Sequence, residues 1–221
     1  MSQSVLITGA NRGIGLALAH VYQARGWTVI ATCRSASPEL DQLGAQVIAD
    51  IDVAEPAAVA RLQEALDGRH LDVLINNAGI LSGESLDSMD YAAIERQFQI
   101  NALAPLRVVE TLLPNLQAGS KVALVTSRMG SIADNGSGGY YGYRMSKAAL
   151  NAAGVSLARD LQPRGIAVAL LHPGMVKTAM TGGHGDVTPQ QAAEGLVHRI
   201  DELNVDNSGT FWHAKGEVLP W

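Results

Sequence analysis

The chain has 221 residues, of which 47% are hydrophobic and 17% charged, and a formal net charge of −5. That length suits one domain burying roughly 70% of the surface its unfolded form exposes, and the balance excludes a disordered chain. No run of Lys or Arg supplies the basic stripe of a phosphate-reading protein, so nucleic acid is disfavoured as a partner.

The lone cysteine, Cys33, can form no internal disulfide and offers no metal-ligand spacing, so no metal is expected and a reducing compartment is favoured. A strand expected from Ser4 leaves no room for a signal peptide, and no apolar stretch approaches the ~20 residues of a membrane span. The expected location is cytoplasmic.

In chain order, apolar runs alternate with helical periodicity. Ser4 to Thr8 reads as a strand, and Ile14, Ala17, Leu18 and Val21 then recur at helical spacing. Thr28 to Thr32, rich in β-branched residues, and Gln46 to Ala49 read as the next strands. An amphipathic stretch follows around Val59, Leu62 and Leu66. Leu71 to Ile75 and Lys121 to Val125 are further buried-strand candidates. A helix with apolar Leu150, Ala153, Leu157 and Leu161 precedes a strand over Gly165 to Leu171. Such alternation predicts an α/β fold, a doubly wound parallel sheet of Rossmann type, in one domain spanning residues 1–221. The Gly-rich stretches from Gly130 to Gly142 and from Gly174 to Val187 are short enough to be site loops.

Thr8-Gly9-Ala10-Asn11-Arg12-Gly13-Ile14-Gly15 falls between the first strand and the first helix. Glycines allow a tight bend and close approach of a pyrophosphate, and the helix N-terminus offers free N–H groups to the phosphates. An NAD site places an acid about 20 residues further on, at the end of the second strand. Here the sequence reads Thr32-Cys33-Arg34-Ser35, with no acid before Glu39. Arg34 could clamp a 2′-phosphate, with Arg12 as a second cation, so NADP(H) is predicted over NAD(H).

Tyr143 and Lys147, four apart, share the face of a helix. A neighbouring ammonium favours the phenolate, so Lys147 is expected to lower the Tyr143 pKa and fit it for proton exchange with a carbonyl or alcohol. Ser127 ends the fifth strand, at the sheet edge where open α/β proteins bind ligands, and its hydroxyl could hold the substrate oxygen. Asn76-Asn77-Ala78-Gly79 ends the fourth strand, with small residues that admit a ligand close to the backbone. Asn101, in the next helical stretch, could bridge Lys147 to water.

Together, the glycine turn, Asn76-Asn77-Ala78-Gly79, Ser127, the Tyr143/Lys147 pair and Pro173-Gly174 resemble the short-chain dehydrogenase/reductase family in its compact form, over essentially the whole chain. The stretches Ser127 to Ile132 and Tyr143 to Asn151, with the terminal Leu219-Pro220-Trp221, are most similar to its C-factor and sniffer-type carbonyl reductases. The resemblance implies Tyr143 as acid/base, Ser127 as the group polarising the substrate oxygen, Lys147 on the nicotinamide ribose and Asn101 in a proton relay. It also implies Asp52 and Val53 as an adenine-binding pair, Val176 and Thr178 in the turn that binds carboxamide and phosphate, and a homodimer or homotetramer. Asp52 could equally act as a cap for the helix beginning near Glu55.

Ser127 and Tyr143 stand 16 apart, slightly more than is usual in the family. Tyr140 lies nearer the usual distance but has Arg144 four residues on, so Tyr143 is preferred. Ser131 is the weaker rival of Ser127. His172 reads as a hydrogen-bonded strand-end residue. Met175 and Met180 could line a substrate pocket, and Gly182-Gly183 and Gly185 suggest a mobile segment closing over it. The reaction expected is hydride transfer between NADP(H) and a small carbonyl or alcohol. A nucleotide-sensing or signalling protein with little turnover is the alternative. A sugar-nucleotide epimerase is disfavoured by the short stretch after Gly174.

Overall fold

The computed structural model describes residues 2–221. Seven parallel strands form one sheet in the order β3-β2-β1-β4-β5-β6-β7. They are β1 (Ser4–Thr8), β2 (Thr28–Thr32), β3 (Gln46–Ile48), β4 (Val73–Asn76), β5 (Lys121–Val125), β6 (Ala167–His172) and β7 (Phe211–His213). Interleaved are α1 (Gly13–Ala24), the short α2 (Pro38–Asp41), α3 (Pro56–Leu66), α4 (Tyr91–Phe98), α5 (Ala104–Thr111), α6 (Tyr141–Leu161) and α7 (Pro189–Glu202).

Because successive side chains on a strand point to opposite faces, each strand feeds two cores. Val5 and Ile7 of β1, with Ala169 and Leu171 of β6, pack against Leu18 and Tyr22 of α1 and Leu196 and Ile200 of α7. Leu6, Ile30, Leu74 and Val168 face the other way, onto Leu62 of α3, Val108 of α5 and Leu150 of α6. A sheet buried on both faces explains why its strands read as unbroken apolar runs rather than as alternating ones.

The predicted strands are present, with shifted edges that have local causes. Gly165 takes φ +69° and Ile166 N bonds back to Leu161 O, so β6 begins only at Ala167. Two C-terminal elements, α7 and β7, were not foreseen. Phe211 and Trp212 lie in an edge strand in register with Leu170 and Leu171 of β6. Buried Phe211 stacks on Trp221 with ring centroids 5.5 Å apart.

The strand order reverses between β1 and β4, which opens a crevice at their carboxyl ends. No helix among the described residues is long and apolar enough to cross a membrane.

Candidate active site

A cleft of about 1240 Å³ runs along the carboxyl edge of the sheet. Its wall begins with the glycine turn, where Gly15 is fixed by contact. A Cβ there would lie 2.2 Å from Gly9 O and 2.6 Å from Asn77 Nδ2. Asn77 holds the turn, its Nδ2 donating to Thr8 O at 3.0 Å and Gly9 O at 3.1 Å. Thr8 Oγ1 accepts from Asn77 N and Ala78 N. The Asn77 side chain, expected among the cofactor contacts, is therefore occupied in joining β4 to the turn.

The cleft is also lined by Gly9, Asn11, Arg12, Gly13, Ile14, Arg34, Ser35, Asp52, Val53, Ala78 and Gly79. Asn11 Nδ2 donates to Ser35 O at 3.0 Å, which ties the glycine turn to the end of β2. Arg12 and Arg34 are exposed there. Asp52 Oδ1 accepts from Ala54 N at 3.0 Å in a local turn, and the N-cap of α3 is Glu55 rather than Asp52. On the opposite wall, Pro173, Gly174, Val176 and Thr178 follow β6. Thr178 packs at Gly13, where a Cβ would meet its Cγ2 at 3.5 Å.

Ser127, Tyr143 and Lys147 meet on the cleft floor, 7%, 9% and 4% exposed. Ser127 is the N-cap of a short helical turn, its Oγ accepting from Met129 N at 3.2 Å while its proton remains available to donate. Lys147 Nζ donates to Val125 O at 2.9 Å and lies 5.7 Å from the centroid of the Tyr143 ring. Burial lowers the Lys147 pKa to about 8, so the amine remains largely cationic at neutral pH.

The expectation that Lys147 brings the phenol down is not met. Burial pushes the Tyr143 pKa up, and only a hydrogen bond with Ser127 opposes it. Burial disfavours the charged phenolate, so Tyr143 is held as the neutral phenol, suited to giving a proton.

Asn101 is held firmly by its side chain. It sits in a π-helical turn, Gln99–Leu103, between α4 and α5. Its Oδ1 accepts from Ile80 N at 2.9 Å, and its Nδ2 donates to Ile80 O at 2.9 Å and Ser146 Oγ at 3.0 Å. The amide is thus committed to neighbours, and it flanks Gly79 together with Lys147: a Cβ added at Gly79 would lie 3.2 Å from Asn101 Oδ1 and 3.7 Å from Lys147 Nζ.

The rivals separate. Ser131 Oγ accepts from Asp134 N and Ser131 does not line the cleft. Tyr140 does line it but is 44% exposed, in the left-handed region just before α6. His172 was read as hydrogen-bonded, yet its buried Nδ1 has no partner. Burial, with His213 and Arg128 nearby, lowers its pKa to about 3. Gly174 to Val187 is tied internally, with Lys177 N donating to Val187 O at 2.9 Å and Asp186 N to Met175 O at 2.8 Å.

Glu84 was missed. It is a buried carboxylate whose Oε1 accepts from Gln97 Nε2 at 3.0 Å and whose Oε2 accepts from Gly142 N at 3.1 Å, clamping the first turn of α6 to α4. No motif marks it, since its partners lie far along the chain.

This is a Rossmann-type cleft with a Ser/Tyr/Lys set at its base, the architecture of an oxidoreductase that handles a dinucleotide. A family model described as short chain dehydrogenase matches residues 3–189. The 1-hydroxy-2-glutathionyl-2-methyl-3-butene dehydrogenase of Rhodococcus sp. (strain AD45) is 42% identical over 224 residues, covering 99% of each chain. C-signal of Myxococcus xanthus is 50% identical over 155 residues, covering 68% of this chain and 93% of the relative. The solved structure of NADPH-bound carbonyl reductase from chicken fatty liver aligns with a TM-score of 0.89 at 32% identity, covering 100% of this chain and 99% of that one. The chain belongs to the short-chain dehydrogenase/reductase family.

Proposed function

We propose that the protein is an NADP(H)-dependent oxidoreductase that reduces an aldehyde or ketone to an alcohol, or runs the reverse. The observation that carries this reading is the meeting of Ser127, Tyr143 and Lys147 on the floor of a cleft that also contains the glycine turn, Arg12 and Arg34. The absence of an acid at the end of β2, with exposed Arg34 there and exposed Arg12 in the glycine turn, supports the 2′-phosphorylated cofactor. The NADPH-bound structural relative supports it independently.

The fit of the cofactor rests on the cradle at Gly9, Gly13 and Gly15, with Thr178 opposite. Lys147 and the Pro173-Gly174 turn would hold its nicotinamide half. When bound, it supplies the hydride. Ser127 and Tyr143 hydrogen-bond the carbonyl oxygen and so raise the electrophilicity of its carbon. Tyr143, kept protonated by burial, gives its proton to the developing alkoxide. Lys147 returns positive charge toward the phenolate formed, and the Asn101 region would connect it to solvent.

A carbonyl panel followed at the NADPH absorbance tests this. Turnover with NADPH, abolished in Tyr143→Phe while NADPH binding survives, is expected. Turnover that survives in Tyr143→Phe and is lost in Tyr140→Phe would move the acid to Tyr140. The likeness to C-signal supports one second reading, a signalling protein with little turnover, and absence of turnover across the panel with NADPH bound would favour it. Exposed Tyr91, Phe98 and Leu106 on α4 and α5 support a homodimer or homotetramer, read by sedimentation. The free, buried Cys33 accords with a cytoplasmic location.

A further inference from the structure

Arg144 begins from a plain imbalance of charge at the substrate end of the cleft. It follows Tyr143 on α6 and lines the cleft together with Met129, Ser137 and Tyr140. Its Nε donates to Gly139 O at 3.2 Å, its Nη2 to Ser137 Oγ at 2.8 Å and its Nη1 to Met129 O at 3.5 Å. All these partners are neutral. A guanidinium has five N–H donors, so among the described residues one N–H on each terminal nitrogen lacks a protein acceptor. Among the described residues Arg144 forms no salt bridge.

The neighbouring cation is different. Arg128 is paired with Asp134 at 2.7 Å and Glu217 at 3.1 Å. Among the described residues that line the cleft, Asp52 is the one acid, and it lies after β3 at the opposite end from Arg144. Ile80, Leu81, Met175 and Met180 supply apolar lining in the same cleft. A fixed guanidinium with neutral anchors has little rotamer freedom left to lose when it meets an anion.

We propose that Arg144 is a substrate-recognition residue: the carbonyl compound reduced at Ser127 and Tyr143 carries a carboxylate that docks on the two terminal nitrogens of Arg144, with an apolar spacer between. The proposal rests on the carbonyl-reduction reading above.

The competing role is structural, with Arg144 stapling the segment from Ser137 to Gly139. Kinetics with NADPH separate the two, comparing short, medium and long ω-oxocarboxylates with their methyl esters in wild-type enzyme and Arg144→Gln. At the chain length that spans the gap, the wild type should favour acid over ester in kcat/KM by about tenfold to a hundredfold, the range of one charge-assisted hydrogen bond. Most of the difference should lie in KM. Arg144→Gln should bring the ratio close to one, and Arg144→Lys should recover part of it, because an ammonium keeps the charge but not the fork. A ratio unchanged by Arg144→Gln, or no acid preference in the wild type, overturns the proposal.

If Arg144→Gln does not fold, the wild-type ratio is followed against salt. Recognition by charge makes the ratio fall as ionic strength rises, and a ratio indifferent to salt overturns the proposal. Failure of the carbonyl-reduction reading looks different, since then no aldehyde is turned over. Calorimetric titration of the same carboxylates into the NADPH-loaded protein then decides. Affinity lost in Arg144→Gln sustains the anion site, and equal affinity in both proteins overturns it.

Discussion

Adding a single methyl group at Gly15 sets two opposing terms against each other. Gly15 is the third residue of α1, where helix propensity alone makes Ala more favourable than Gly by about 1 kcal/mol. The structure opposes this, because the new Cβ would stand 2.2 Å from Gly9 O and 2.9 Å from Gly9 C. Backbone atoms cannot rotate aside, and forcing a methyl into packed space costs about 1–3 kcal/mol. The clash should therefore win by up to about 2 kcal/mol, or a fall in Tm of up to about 8 °C for a chain of this size. The same displacement pushes Gly9 and Asn77 out of the turn, so NADPH affinity should drop by about tenfold or more. Scanning fluorimetry and titration of NADPH fluorescence read the two effects. Gly136→Ala is the comparison, since its Cβ would meet nothing within 4 Å, and it should stay within about 0.5 kcal/mol of wild type. If Gly15→Ala matched wild type in both Tm and NADPH affinity, the steric account of the cradle would be refuted.

Tyr143→Phe should lower kcat by about 10²- to 10⁴-fold, the usual contribution of a positioned proton donor; Tyr140→Phe should leave kcat within a few-fold, as stopped assays on both variants would show. Arg34→Ala should weaken NADPH by about tenfold or more and leave NADH nearly unaffected, because only the former carries the 2′-phosphate; equal losses for both cofactors would count against Arg34. For Lys147, burial lowers the pKa to about 8 against an ordinary 10.5. Between those values the unfolded chain binds the extra proton, so this group makes stability rise with pH across that window. Urea unfolding of wild type and Lys147→Met isolates the contribution from Lys121, whose pKa burial also lowers, and identical pH profiles would contradict it. Carbonyl reduction should decline above about pH 8 as the ammonium is lost.

Much of the site was legible because its signals are local. The glycine turn, Asn76 to Gly79 and the four-residue spacing of Tyr143 and Lys147 each depend on a short segment whose conformation the neighbouring residues largely dictate. The doubly wound parallel sheet followed from apolar runs alternating with helices. The terminal strand was not legible, because three residues, Phe211 to His213, carry too little periodicity and become a strand only by pairing with β6. The side-chain partners of Asn101 and Asn77 were not legible for a related reason. An amide names four hydrogen-bonding possibilities, and only the fold reveals that Asn101 uses three of them on Ile80 and Ser146 and Asn77 two on the glycine turn.

The balance of charge in the site was decided last. Sequence placed an ammonium near a phenol and so implied a depressed pKa. Tertiary packing determined that both groups are buried, that Lys147 spends a hydrogen bond on Val125 O, and that burial favours the neutral phenol at Tyr143. The chain by itself determined the alternation of strand and helix, the chemistry of each turn and the class of cofactor it favours, because these depend on neighbours along the backbone. What depends on neighbours across it was left to the folded molecule: the carboxylate of Glu84 set under α6, the uncompensated Arg144, and the direction in which burial moves each proton.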